Sequence, residues 1–144
     1  MQVDLALPDE AATAALAVRL SGRLDPGDTV LLSGPIGSGK SAFARALIRH
    51  RLGDPRAEVP SPTFTLVQTY DTPEGEIWHA DLYRLGHVDE IVELGLEEAF
   101  DTALCLIEWP DRLGTLAPRD ALRMTFAAGQ HGHTVLIDGL GDPL

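Results

Sequence analysis

Apolar positions in this chain recur with two spacings, and each change of spacing marks a new element. Residues 3–7 alternate weakly and predict a short edge strand. Leu7-Pro8-Asp9-Glu10 then reads as a helix start, with Pro8 or Asp9 near the cap and Glu10 in the first turn. This helix would run to about Leu20, with Leu16, Ala17 and Leu20 on one face, and would end at Ser21-Gly22. Thr29-Val30-Leu31-Leu32 follows the turn signal Pro26-Gly27-Asp28 and predicts a strand. Beyond about Lys40, Ala42, Phe43, Ala44, Ala46, Leu47 and Ile48 alternate with Arg45 and Arg49 at helical spacing, and Gly53 supplies a stop.

The pattern then breaks. Glu58 to Thr65 carries prolines at 60 and 62, which make it non-helical and stiff. Thr65 to Tyr70 alternates as a strand, Thr72-Pro73-Glu74-Gly75 is a turn, and Glu76 to His79 returns, so a hairpin is expected. Val88 to Phe100 has a helical pattern interrupted at Leu94-Gly95-Leu96, giving two short helices with the acids Asp89, Glu90, Glu93, Glu97 and Glu98 on a solvated face. Ala103 to Ile107 is continuously apolar, as a central parallel strand should be. Ala121 to Phe126 and Thr134 to Ile137 predict two alternating strands around a turn at Gly129–Gly132.

Candidate chemistry concentrates where two of these strands end. Between the Thr29 strand and the Lys40 helix lies GPIGSGKS, which fits the phosphate-binding loop G-x-x-x-x-G-K-[ST]. Glycines at 34, 37 and 39 allow backbone angles that turn successive N–H groups inward around an anion. Lys40 can reach the β- and γ-phosphates, the Ser41 hydroxyl can ligate Mg²⁺, and the helix aims its positive end at the same phosphates. The apolar strand ending in Glu108-Trp109-Pro110 has the form of a Walker B element, whose acid completes the Mg²⁺ shell opposite Ser41. The stiff Glu58–Thr65 segment sits where nucleotide hydrolases often place a switch loop, with Thr63 and Thr65 as candidate γ-phosphate sensors, or else it is a rigid turn. His79, Asp81 and Tyr83 would project together if the strand stays extended past His79.

Composition narrows the setting. A length of 144 residues suits one domain with a single good core. No apolar run approaches the roughly 18 residues needed to span a bilayer, and the N-terminus has acids where an export signal would be basic. The expected location is therefore the cytoplasm. The single cysteine, Cys105, can form no internal disulfide and reads as an inert core thiol. A net charge of −11 repels phosphate backbones, so no stable direct nucleic-acid binding is expected; the charge otherwise serves solubility.

Taken in order, GPIGSGKS, SPTFTL, HADLYRL and LIEWP resemble the TsaE (YjeE) family, the small P-loop ATPases of bacterial tRNA threonylcarbamoyladenosine biosynthesis. The resemblance extends over nearly the whole chain, from Leu7-Pro8-Asp9-Glu10 to the C-terminal hairpin. It implies a three-layer α/β P-loop fold with a mostly parallel sheet and antiparallel additions. It implies ATP as substrate with Mg²⁺, the nucleotide being held by Ile36, Gly37, Ser38, Gly39, Lys40, Ser41 and Ala42, with Glu10 beside the base. Ser41 and Glu108 would hold the metal. Lys40, Thr63, Asp81 and Trp109 would serve the reaction, with Asp81 as acid/base or water orienter. It further implies a TsaB–TsaD heterodimer as partner, whose TsaD subunit modifies adenosine 37 of tRNAs reading ANN codons, so that tRNA is met only indirectly. Ser41 and Ala42 stand where the family more often has Thr-Thr, and Pro35 replaces a commonly acidic or polar residue. Ser41 keeps the hydroxyl that a metal needs.

Two other readings use the same motifs. A small-molecule kinase would need an acceptor pocket and a basic lid, and no insertion of that kind is evident. A nucleotide-sensing assembly module with little turnover would use the same binding residues. The guanine-reading Asn-Lys-x-Asp pattern is absent, and the preference for ATP comes from the resemblance.

Overall fold

In the computed structural model, which describes residues 1–142 and 144, seven strands form one sheet. The elements in chain order are β1 (Gln2–Leu7), α1 (Glu10–Ser21), β2 (Thr29–Ser33), α2 (Lys40–Leu52), β3 (Val67–Thr72) and β4 (Gly75–Asp81). There follow α3 (Asp89–Leu94), α4 (Leu96–Thr102), β5 (Leu104–Glu108), a 3₁₀ segment (Pro110–Leu116), β6 (Leu122–Gly129) and β7 (Gly132–Asp138). The strand order is β1-β7-β6-β2-β5-β4-β3. β6, β2, β5 and β4 are mutually parallel, while β7 and β1 on one edge and β3 on the other pair antiparallel. The expected α/β fold, mostly parallel with antiparallel additions, is the one observed.

Period-two alternation in the central strands builds both cores. Val30 and Leu32 of β2, with Leu104 and Leu106 of β5, pack beneath α1 and α2 against Leu16, Leu20, Phe43, Leu47 and Ile48. Leu31, Cys105 and Ile107 face the opposite way, toward Ile91, Leu96, Phe100 and Leu113 of α3, α4 and the 3₁₀ segment. Buried on both faces, β5 has no polar residue until Glu108. Cys105 lies wholly inside, and burial pushes its thiol up to about 12, so the inert reading holds. Among the described residues no helix is long and apolar enough to cross a membrane.

Local signals set most boundaries. Asp9, rather than Pro8, caps α1, accepting the Ala12 N–H at 2.8 Å. Gly95 takes φ 81°, a left-handed angle open to glycine, and so ends α3 and begins α4 where the sequence predicts a break. Two expectations are corrected. β3 begins at Val67 rather than Thr65, because Leu66 adopts φ 67° and its N–H closes a turn onto the Pro62 carbonyl at 2.7 Å. β4 ends at Asp81, so Tyr83 is not carried on the strand with His79 and Asp81. Its N–H instead turns back to the Asp81 carboxylate.

Candidate active site

Strand register assembles the site. Leu32 is the partner of Glu108, and Asp81 is the partner of Glu108 on the other side. The C-terminal ends of β2, β5 and β4 therefore bring the loop, Glu108 and Asp81 into one row, where open parallel sheets present their ligand sites. Leu104, Leu106 and Glu108 share one face of β5, as Ile77, His79 and Asp81 share one face of β4. That face carries α2, so both acids meet its first turn.

The loop turns on glycines at positive φ, and Gly34 is the most constrained of them. At Gly34, φ is 137° and a Cβ would lie 2.4 Å from the Phe126 carbonyl oxygen. Gly39, at φ 108°, leads directly into α2. Ser38 is turned inward, with its hydroxyl donating to the Pro35 carbonyl at 2.6 Å and its N–H to the same oxygen at 3.2 Å. Its side chain shapes the loop and does not line the cleft.

Of the residues that the resemblance assigns, all but Ser38 and Glu10 converge. A cleft of about 520 Å³ is bordered by Ile36, Gly37, Gly39, Lys40, Ser41 and Ala42 on the loop side and by Thr63, Asp81, Glu108 and Trp109 opposite. The Ser41 hydroxyl donates to Glu108 Oε1 at 2.9 Å. The Thr63 hydroxyl donates to Asp81 Oδ2 at 3.2 Å, and Ser61 Oγ lies 2.6 Å from Thr63 Oγ1. Because Thr63 gives its hydrogen to Asp81, Ser61 is the donor of that pair. Lys40 is 5% exposed; its ammonium donates to the Gly34 carbonyl and stands 3.7 Å over the Trp109 ring. Trp109 in turn stacks on Tyr83, with ring centroids 4.8 Å apart. Among the described residues, only Leu66 and Trp109 combine a side chain with positive φ. Both flank the row of acids, and Leu66 also accepts the Asp81 N–H at 2.9 Å. Backbone strain thus sits where Asp81 and Glu108 are held.

Burial and charge oppose each other here. Burial lowers the Lys40 ammonium, and the charges of Glu108, Asp81 and Asp111 partly restore it. For Glu108, burial raises the carboxyl. The hydrogen bond and charge of His79, the Ser41 hydroxyl and Lys40 outweigh burial, and the net direction is down. Glu108 is thereby kept as a carboxylate, the form that binds a hard cation. The donor set suits Mg²⁺: a hydroxyl and a carboxylate oxygen meet in the cleft, both hard oxygen ligands. Among the described residues, no group of three or more His, Cys, Asp or Glu could hold a metal by itself.

Glu10 lies outside this cleft. It borders an adjoining groove of about 280 Å³ with Thr13, Arg45 and Arg49, and that groove shares Ala42 with the main cleft. The sequence reading misses His133 altogether and, for His79, misses only the partner it meets. His133, at the start of β7, reaches the cleft beside Gly39 from a remote hairpin and carries no local signal. His79 is conspicuous as a polar residue after an apolar run, yet only the register shows that it meets Glu108.

The chain is similar to known proteins over most of its length. Residues 7–135 match the model of the family described as "Threonylcarbamoyl adenosine biosynthesis protein TsaE". The tRNA threonylcarbamoyladenosine biosynthesis protein TsaE of Rickettsia felis is 48% identical over 107 residues, which are 74% of this chain and 62% of that protein. The protein of the same name from Bacillus subtilis is 32% identical over 137 residues, 94% of this chain and 83% of its own. Among solved structures, Bacillus subtilis YdiB aligns with a TM-score of 0.75 at 26% identity, covering 95% of this chain and 84% of that one.

Proposed function

The chain belongs to the TsaE family, and from that premise we propose that it is a Mg²⁺-dependent ATPase serving threonylcarbamoyladenosine biosynthesis on tRNA in the cytoplasm. The observation that carries this reading is the convergence of Lys40, Ser41, Asp81 and Glu108 at the ends of three neighbouring strands. Gly37, Gly39 and the first turn of α2 direct backbone N–H groups and the positive end of the helix dipole toward the phosphates. Lys40 adds a cationic donor to the β- and γ-phosphates once it leaves the Gly34 carbonyl. Ser41 and Glu108 would hold Mg²⁺, which when bound would neutralise charge at the phosphate oxygens. Asp81 borders the cleft with one oxygen held by the Thr63 hydroxyl and the other by the Tyr83 N–H, and an oriented carboxylate there can position a water or accept its proton. Trp109 fixes the approach of Lys40 through its ring. ATP is hydrolysed to ADP and phosphate by positioning and electrostatics, with no covalent intermediate.

Such chemistry depends on alignment, so the isolated chain should be slow. Its partner would be the TsaB–TsaD heterodimer, with turnover supporting repeated cycles of modification. With a net charge of −11, the chain has no evident surface for tRNA itself and would act through that machinery. Steady-state ATP hydrolysis, measured alone and with purified TsaB and TsaD, tests the proposal. A low rate that rises clearly with the pair is expected. Tight Mg-ATP binding without activation would leave a nucleotide-sensing module instead.

A further inference from the structure

Glu108 has two carboxylate oxygens with different partners. Oε1 receives the Ser41 hydroxyl at the cleft, whereas Oε2 lies 2.7 Å from His79 Nε2. His79 is 2% exposed and does not border the cleft, because it stands two residues before Asp81 on the same face of β4. Its register partner is Leu106, one step deeper in the sheet than Glu108. It therefore stands behind the cleft lining, with its ring bonded to the acid in front of it. The other ring nitrogen, Nδ1, is buried without a hydrogen-bond partner among the described residues. Glu108 as a carboxylate can only accept, so Nε2 carries the hydrogen and His79 donates to it.

We propose that His79 is a positioning residue for the metal, holding Oε2 of Glu108 so that Oε1 stays aimed at the Ser41 side of the cleft. A carboxylate on a strand end can rotate about its last torsion, which is broad. The bond from behind removes that freedom. Outer hydrogen bonds of this kind orient metal-binding groups, and their loss weakens metal affinity by roughly 10–100-fold. The inference rests on the metal role given to Glu108 above.

The test is calorimetric titration of ATP into the full chain, with Mg²⁺ and in EDTA, the ratio of affinities reporting the metal's contribution. His79→Leu should cut that ratio about tenfold or more while leaving affinity in EDTA unchanged. His79→Gln, whose amide NH₂ can take the place of Nε2–H, should restore most of it. Should His79→Leu melt too low to titrate, His79→Asn replaces it, its shorter amide falling short of Oε2. A wild-type ratio in the Leu or Asn variant would overturn the proposal. So would an equal loss with and without Mg²⁺, which marks a merely structural residue. If the wild type itself gained nothing from Mg²⁺, the ATPase reading would fail first.

Discussion

The cleft at the C-terminal ends of β2, β5 and β4 holds about 520 Å³, and another of about 480 Å³ lies at the opposite end of β2 and β6. The second is bordered by Leu20, Arg23, Asp28, Thr29, Asp120 and Leu122, with Gly139 to Asp142 as one wall. Both contain charged residues, so neither size nor charge separates them. Convergence does. In the first cleft each acid is held by hydroxyls, N–H groups or a ring nitrogen, and a lysine lies among them. In the second, Asp28 accepts the Asp25 N–H within its own turn, and Arg23 donates to the Asp142 carbonyl. Those contacts tie down loops and the C-terminal tail. Groups oriented toward a shared space make a site, whereas groups facing their own backbone make a scaffold.

Substitutions can sharpen or break that contrast. The largest effect is expected for Lys40→Ala, which removes the ammonium that the loop places among the acids of the first cleft. ATP affinity measured by calorimetry should fall about 100-fold, or about 3 kcal/mol. Retained affinity would remove the loop from nucleotide binding. Glu108→Gln keeps the volume but loses the charge, and the Mg²⁺ concentration for half-maximal ATP binding should rise at least about tenfold. An unchanged Mg²⁺ titration would take Glu108 out of the metal shell. Thr63→Val leaves Asp81 without its hydroxyl donor, so partner-stimulated hydrolysis should slow about tenfold with little change in ATP affinity. Asp120→Asn in the second cleft should change ATP affinity less than about twofold, since Asp120 is exposed. A loss there as large as that of Lys40→Ala would reverse the comparison.

The first cleft was also the more legible in the sequence. The phosphate loop carries its structure in its own composition, because glycines at fixed spacing and the flanking strand and helix all act locally. β5 was legible because burial on both faces leaves an unbroken apolar run, and Glu108 marks its end. Contacts across the sheet were not legible. The His79–Glu108 bond and the arrival of His133 depend on register and on a distant hairpin. Leu66 gave no warning of its left-handed angle, which a side chain adopts only under tertiary constraint, so the start of β3 was misplaced. The 3₁₀ segment after Trp109 escaped notice because its apolar spacing is irregular and Gly114 interrupts it. Glu10 was placed by resemblance alone, and the structure puts it in the adjoining groove.

Backbone amide NMR during titration with Mg-ATP tests most directly the claim that the nucleotide sits at the C-terminal ends of these strands. The largest shifts are expected at Gly37, Gly39 and Ser41 and at the Trp109 indole, with Thr29, Leu122 and Gly139 nearly still. Shifts centred on Thr29, Leu122 and Gly139, with the loop unmoved, would contradict the account.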